Sequence, residues 1–368
     1  MGKTAWLIGA GALIGILALI LAANGNPPNM GVCVACFLRD TAGGLKLQSA
    51  PPVQYMRPEI FGFALGAFVS ALAFKEFLPR AGSVPVIRFA LGFFMMIGCL
   101  VFLGCPLRVF LRIGAGDLNA IVGLFGLAFG IWIGTIFMQR GDFSLPANQE
   151  QRKTEGLIFP VICFIVLLLA LILPDIFAAS KAGPGSMHAP VIYALIAGLI
   201  IGVIVERTRF CSIGFISHII LFKRFSMMIG VIALILVVMI GNLYMGKFKL
   251  GFDMQPIAHT DGLWNFLSMA LVGICGLFLG GCPLRQIVKA GKGDGDATMT
   301  VLGMLVGAAI AHNFSIASAA QNATTAGGAT ISGKIFVISG LILVIVIGFA
   351  YSCCSKTKTQ KPEEASAV

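Results

Sequence analysis

The chain has 368 residues, 58% of them hydrophobic and only 11% charged, and its mean hydropathy is +0.96. A water-soluble domain carries roughly a quarter charged residues, so this composition excludes one and specifies an integral membrane protein. The net charge of +11 does not argue for nucleic acid, because the charges lie between the apolar runs, where lysine and arginine set orientation.

The apolar runs have the length of spanning helices, about 17 to 25 residues, not of short barrel strands. Ten are predicted, with cores at 6–23, 60–78, 89–103, 118–138, 157–173, 191–205, 227–245, 263–279, 299–311 and 335–351. The fold class is therefore an all-α multi-pass membrane protein. The first run follows Lys3 as a signal peptide would, but it is longer than a usual signal core and reads as a spanning helix. With the N-terminus inside, most of the 26 basic residues collect on the inner side, which places both termini in the cytoplasm and the chain in the cell (plasma or inner) membrane.

After the first helix comes Cys33-Val-Ala-Cys36-Phe37, within the segment 31–45. After the sixth comes Cys211-Ser-Ile-Gly-Phe215, within 208–222. Both segments are too short to cross and too apolar for ordinary loops. They are expected to dip into the protein and return, forming re-entrant segments.

The third helix ends in Gly104-Cys105-Pro106-Leu107-Arg108, and the eighth ends in the same five residues, Gly281-Cys282-Pro283-Leu284-Arg285. The match continues in register: Arg112 with Lys289, Gly114 with Gly291, Asp117 with Asp294, and Gly126 and Gly130 with Gly303 and Gly307. Two copies of one unit are implied, and an odd number of crossings between them makes the copies inverted. The chain divides accordingly into a first repeat (1–138), a loop and linker helix (139–187), a second repeat (188–315), an extra C-terminal helix (316–352) and a polar cytoplasmic tail (353–368).

Within each turn, cysteine reads as an N-cap, proline as the first helical residue, and the later glycine as the stop of a short half-helix. The free N–H groups and positive dipole end at such a helix start favour an anion. From opposite faces, the two half-helices are expected to bring Cys105 and Cys282 together near mid-depth. A thiol is a soft, polarizable donor, suited to sulfur- or selenium-bearing anions more than to hard ions. With Cys33 and Cys36 on the outer side and Cys211 on the inner, the cysteines form a ladder of weak successive contacts of the kind a permeation path needs. Arg108 and Arg285 either draw in an anion or bind carbonyls at a helix end. Asp117 and Asp294 read as helix N-caps.

The other cysteines carry less. Cys99, Cys163 and Cys275 lie inside apolar runs and read as small buried hydrophobes, and Cys353 and Cys354 as an interfacial pair. No metal-ligand set, nucleotide loop or nucleophilic triad is legible, so no cofactor and no enzymatic activity is expected. The competing reading is a membrane thiol-disulfide oxidoreductase using Cys33 and Cys36.

The paired Gly-Cys-Pro turns and the segment Glu206-Arg-Thr-Arg-Phe-Cys211-Ser-Ile-Gly-Phe resemble the YeeE/YedE family of membrane transporters of sulfur-containing compounds. The Leu-Arg extension of both turns is similar to its YedE-type selenium transporter branch. The resemblance covers about residues 4–315. It implies an hourglass-shaped helical protein with re-entrant helices, thiosulfate uptake in relatives, and cysteines at successive constrictions. Those roles fall on Cys105 and Cys282 and, by a looser match, on Cys33 and Cys211. The extra Cys36 and the two Leu-Arg extensions depart from a simple thiosulfate importer, and the branch resemblance together with the soft thiol donors favours a selenium compound over a thiosulfate-like anion. A cytosolic sulfur or selenium carrier protein that receives the cargo is compatible with this reading.

Overall fold

The computed structural model describes residues 3–141, 145, 149–225 and 227–359. These form α1 (Lys3–Ala23), α2 (Val34–Gly44), α3 (Pro58–Ala73), α4 (Pro85–Phe102), α5 (Pro106–Gly114), α6 (Asn119–Gly141) and α7 (Lys153–Ile172). They continue as α8 (Val191–Thr208), α9 (Ser212–Phe222), α10 (Met228–Tyr244), α11 (Gly262–Phe278), α12 (Pro283–Gly291), α13 (Gly295–Asn313) and α14 (Ile331–Thr359). The one sheet among the described residues pairs β1 (Arg80–Ala81) with β2 (Gln149–Glu150).

Nine helical stretches among the described residues are long and apolar enough to cross a membrane, and the 17-residue α10 is a shorter apolar helix beside them. Each of the ten predicted cores falls on its own long helix. The second ends earlier than expected, at Ala73 rather than 78, where Lys75 turns into the left-handed region and a charged end begins. The last runs past 351 to Thr359, since no proline or glycine interrupts the chain between Gly348 and Pro362. Of the expected polar tail, 360–368 lies outside the described residues, as do the side chains of Cys353 and Cys354.

Proline at the first turn starts α3, α4, α5 and α12, where its missing N–H leaves no bond unmade. The long helices pack in pairs through glycine. On α6, a side chain at Gly126 or Gly130 would overlap the backbone of Phe266 or Ala270 on α11. The pairs α3 with α8, α4 with α13 and α1 with α10 meet in the same way, through Gly66, Gly303 and Gly11. Close backbone approach through small residues is how helices associate where apolar burial alone gives no drive. In every pair, one helix comes from each of the two similar stretches, so they interdigitate rather than forming two separate bodies.

The helices alternate between two ends. The first end gathers the loops after α1, α5, α10 and α13: Arg57 bonds Asp40 and Pro184 O, Asp117 pairs with Gly251, and Gln321 N bonds Ala258 O. The second end gathers β1, β2 and the loops after α3, α8 and α12: Arg80 pairs with Glu150 and Asp294. There Glu76 accepts from Arg207 (3.0 Å) and Lys292 (3.2 Å), while Lys292 also bonds Glu206 (2.7 Å).

The hydrogen bonds from Arg207 and Lys292 hold the Glu76 carboxyl below its ordinary range. A depressed carboxyl stabilises the folded state above its unfolded pKa, and that contribution is lost as pH falls through the folded value. Because Glu76 is solvent-exposed, the effect is small. Glu76→Gln is expected to lower the unfolding midpoint slightly at neutral pH and to converge on wild type in acid, where Glu76 is itself protonated, so that the acid limb is flattened. An unaltered acid limb in thermal melts would count against this role.

Candidate functional site

Four short helices have a cysteine at the N-cap: Cys33 before α2, Cys105 before α5, Cys211 before α9 and Cys282 before α12. At 11 and 9 residues, these helices are about 14 to 17 Å long, too short to cross. All eleven residues of α2 are buried, so its ends are met by protein and not by lipid.

The cysteines gather in two groups. At the first end, the side chain of Cys33 interacts with Cys105 and with Cys36. Cys105 faces the backbone N–H of Arg108, and Arg108 Nη1 lies 3.7 Å from Cys36 Sγ. At the second end, Cys211 Sγ accepts the backbone N–H of Gly214 (3.4 Å) and of Cys282 (3.3 Å). The Cys282 thiol in turn faces the N–H groups of Ser212 and Arg285. Two helix N-termini thus converge on one pair of sulfurs, and their dipole ends add in favour of negative charge. Ser212 Oγ, buried at 1% exposure, has no hydrogen-bond partner among the described residues.

The expected meeting of Cys105 with Cys282 does not occur. α4 and α11 run antiparallel and cross at Gly98, against Ser268 and Val272. Arg88, early in α4, reaches Leu279 O at the end of α11 (3.1 Å), and Val101 O, late in α4, meets His259 Nε2 (2.8 Å) before α11 begins. Cys105 and Cys282 follow the opposite ends of this pair, on the order of 20 Å apart along the axis. The reason is length. α4 has 18 residues and α11 has 17, nearly a full crossing each, so their breaks fall towards opposite faces.

The two arginines of the repeated turn differ. Arg108, fully buried, donates to Asn29 O (2.9 Å), Leu103 O, Pro256 O (3.2 Å) and Ile257 O (3.4 Å) as well as to Cys36. It has no carboxylate partner among the described ion pairs. It clamps three loops of the first end, the carbonyl role of the two expected. Arg285 is half-buried and makes one hydrogen bond among the described residues, to Val205 O (3.0 Å). The neighbouring Gln286 pins the second turn through Leu279 O (3.1 Å) and Gly281 O (3.3 Å).

Around these turns the remaining motif residues take structural parts. Gly104 and Gly281 keep Arg108 and Arg285 close, since a Cβ at either would press on the stem of its arginine. Pro106 and Pro283 begin α5 and α12. Asp294 caps α13 by accepting the N–H of Ala297 (2.8 Å), as expected. Asp117 is more engaged than a cap: it pairs with buried Arg112 (2.6 Å) and accepts the N–H of Asn119 (2.9 Å). Lys289 and Asp294 form the matching pair in the second stretch (3.4 Å).

Sequence reasoning passed over Ser212. Ser212 turns its backbone N–H to the Cys282 thiol, and its hydroxyl is buried without a hydrogen-bond partner among the described residues. Cys99 and Cys275 are fully buried in α4 and α11, the small buried hydrophobes that were expected. Cys163, on α7, stays the isolated buried thiol that was expected. Among the described residues, no group of three or more His, Cys, Asp or Glu converges as a metal site would.

Residues 207–368 match the protein-family model described as "Sulphur transport". The match spans less than half of the chain. It contains Cys211, Cys282 and Arg285 but not the cysteines of the first end. No curated protein matches the chain.

Proposed function

We propose that this chain is a permease that carries a small sulfur- or selenium-bearing anion across a cell membrane, passing it from Cys33, Cys36 and Cys105 to Cys282 and Cys211. The observation that carries the reading is the Cys211 sulfur, held between the N–H groups that open α9 and α12. Helix starts supply partial positive charge without a fixed counter-ion, and thiols supply weak, soft contacts. An anion can therefore be held at each pair without being trapped. The family match over the second stretch supports sulfur chemistry.

In this reading the two stretches are inverted repeats, and α2, α9, α5 and α12 are re-entrant or half-membrane helices. The first end faces outward, and both termini lie in the cytoplasm. Arg80, Arg88, Arg207, Lys289 and Lys292, all at the second end, support that orientation by the excess of basic residues on cytoplasmic faces. Delivery at Cys211, the half-exposed member of the set, suits hand-over to a cytosolic carrier protein. A selenium species ranks first as cargo, because selenium is softer than sulfur and the route is lined with thiols, and a thiosulfate-like anion ranks second.

Uptake of labelled thiosulfate, selenite and selenide into proteoliposomes tests the proposal. Cys105→Ala and Cys282→Ala are each expected to reduce uptake of the favoured anion at least about tenfold, a barrier increase of about 1.4 kcal/mol, while Cys163→Ala leaves it unchanged. Equal uptake by all four proteins would overturn it. The interaction of Cys33 with Cys36 favours thiol-disulfide exchange as the second reading. That reading predicts a Cys33–Cys36 disulfide trapped by alkylation during turnover, whereas permeation leaves both thiols reduced.

A further inference from the structure

The segment between α7 and α8, residues 173–190, lies as a strap against the loop that precedes α3. Ala178 N donates to Gly44 O at the end of α2 (2.9 Å), Ser180 N to Gln54 O (2.8 Å) and Gln54 N to Ser180 Oγ (2.8 Å). Where the strap meets the last turns of α7 and the first turns of α3 and α8, the packing leaves a cavity of about 210 Å³. Tyr55, Phe61, Leu167, Ala170, Phe177 and Ala178 are on its walls, and the Tyr55 hydroxyl is the one polar side-chain group among the described lining residues. At Ala179 this cavity adjoins a more open one of about 500 Å³, bordered by Pro51, Pro52, Gln54 and Lys181. Leu168, Ile172, Ile176 and Ile192 are exposed on the same elements, so the surface around the cavity is apolar.

We infer that this cavity takes an acyl chain of an anionic phospholipid whose phosphate sits at Lys181. A water molecule needs about two to four polar partners, which one tyrosine hydroxyl does not supply, and an apolar cavity of about 150 Å³ already stays dry and binds an apolar guest. In a bilayer the apolar guest at hand is a lipid chain. Charge then selects the headgroup. Lys181 is exposed at the mouth and makes no ion pair among the described residues. The N–H groups of Lys181, Ala182 and Gly183 donate no backbone hydrogen bond among them either, and Gly183 takes a positive φ of 81°. Successive free N–H groups in a turn of this kind favour an anion. The other charged side chain of the strap, Asp175, is exposed on the turn Pro174–Ile176 that directly follows α7. A lipid seated here fills the space between α7 and the strap and holds the strap on the end of α2, the buried helix that presents Cys33. Its binding is independent of what the chain carries.

The test uses the full chain in detergent with phosphatidylglycerol and phosphatidylcholine of the same acyl chains, supplied together in equal amounts. Native mass spectrometry reads the bound lipid and thermal melting reads stability. The wild-type chain is expected to retain phosphatidylglycerol in preference to phosphatidylcholine and to melt several degrees higher with it. Lys181→Gln is expected to lower that preference about fivefold, the effect of one basic residue near an anionic headgroup. Lys247→Gln, at an exposed lysine elsewhere at the first end, is expected to leave it unchanged. Ala170→Phe, which fills the cavity from α7, is expected to lose the retained lipid and the stabilisation it gives. Ala178→Leu fills the cavity from the strap and serves if the first variant fails to fold. Equal retention of the two lipids by the wild-type chain, or equal losses from Lys181→Gln and Lys247→Gln, would overturn the headgroup site. A cavity-filled variant that folds and still retains the lipid would overturn the acyl-chain site, as would occupation by detergent alone or by a second copy of the chain.

Discussion

Asp40→Ala is expected to destabilise the folded chain by about 3–5 kcal/mol, the effect of leaving buried charge uncompensated. Asp40 is fully buried on α2, and its two oxygens divide between two arginines. One oxygen meets Arg39 at 2.8 Å and the other meets Arg57 at 2.7 Å, with side-chain exposures of 3% and 0%. Arg57 continues the network to Pro184 O (2.9 Å) and Asn26 Oδ1 (3.4 Å), and Asn26 donates to Glu59 (2.9 Å). One carboxylate thus ties α2 to the start of α3, the loop after α1 and the segment before α8. Without it, Arg57 stays buried with carbonyl and ring partners alone, Phe37 at 5.1 Å and Tyr55 at 5.2 Å, and Arg39 loses the one side chain it bonds among the described residues. Asp40→Asn, which keeps the shape and removes the charge, is expected to fall between wild type and alanine. The unfolding midpoint in detergent measures both, and a shift within error for alanine would show that the network contributes little. Because α2 presents Cys33 at its N-terminus, uptake should fall in step with stability.

Arg108→Lys and Arg285→Lys are expected to separate, although the two arginines stand in identical pentapeptides. Arg108 donates to four carbonyls and a thiol, and lysine, with three donors, leaves at least two buried acceptors unmet, a loss of about 2–4 kcal/mol. Part of that clamp restrains Leu103, which adopts the left-handed region (φ 62°), a conformation worth about 1–2 kcal/mol of strain for a residue other than glycine. The equivalent residue is Gly280 (φ 72°), which takes that conformation freely, so the second turn needs no such clamp. Arg285→Lys is therefore expected to leave the unfolding midpoint within about 1 kcal/mol of wild type, given a single carbonyl bond. Its effect should appear in anion uptake, as a raised half-saturating concentration. Leu103→Gly in the Arg108→Lys background is expected to recover about 1 kcal/mol. Equal stability losses for the two lysine variants would contradict the division of labour.

Much of the candidate site was legible because its grammar is local. Gly-Cys-Pro fixes a helix start within three residues, and both nine-residue helices begin at the predicted prolines and end at the predicted glycines. The cysteine segments after α1 and α8 also fold as short helices at the expected places, since their length and apolarity leave few alternatives. The roles of Arg108 and Arg285 were not legible, because the difference lies in Asn29, Pro256 and Ile257, which are far away in sequence. The Asp40–Arg57 network was hidden for the same reason: each member reads as an ordinary loop or helix-end charge until the loops are brought together.

By itself the sequence determined the membrane class, the ten long helices, the doubled turn with its two cysteine-capped helix starts and the place of the two short cysteine segments, because composition, apolar run length and proline–glycine punctuation act over a few residues. Only the tertiary structure decided which sulfurs meet. Depth depends on how two long antiparallel helices cross, and the crossing at Gly98 sets the turns at opposite ends of the α4–α11 pair, leaving Cys105 with Cys33 and Cys282 with Cys211.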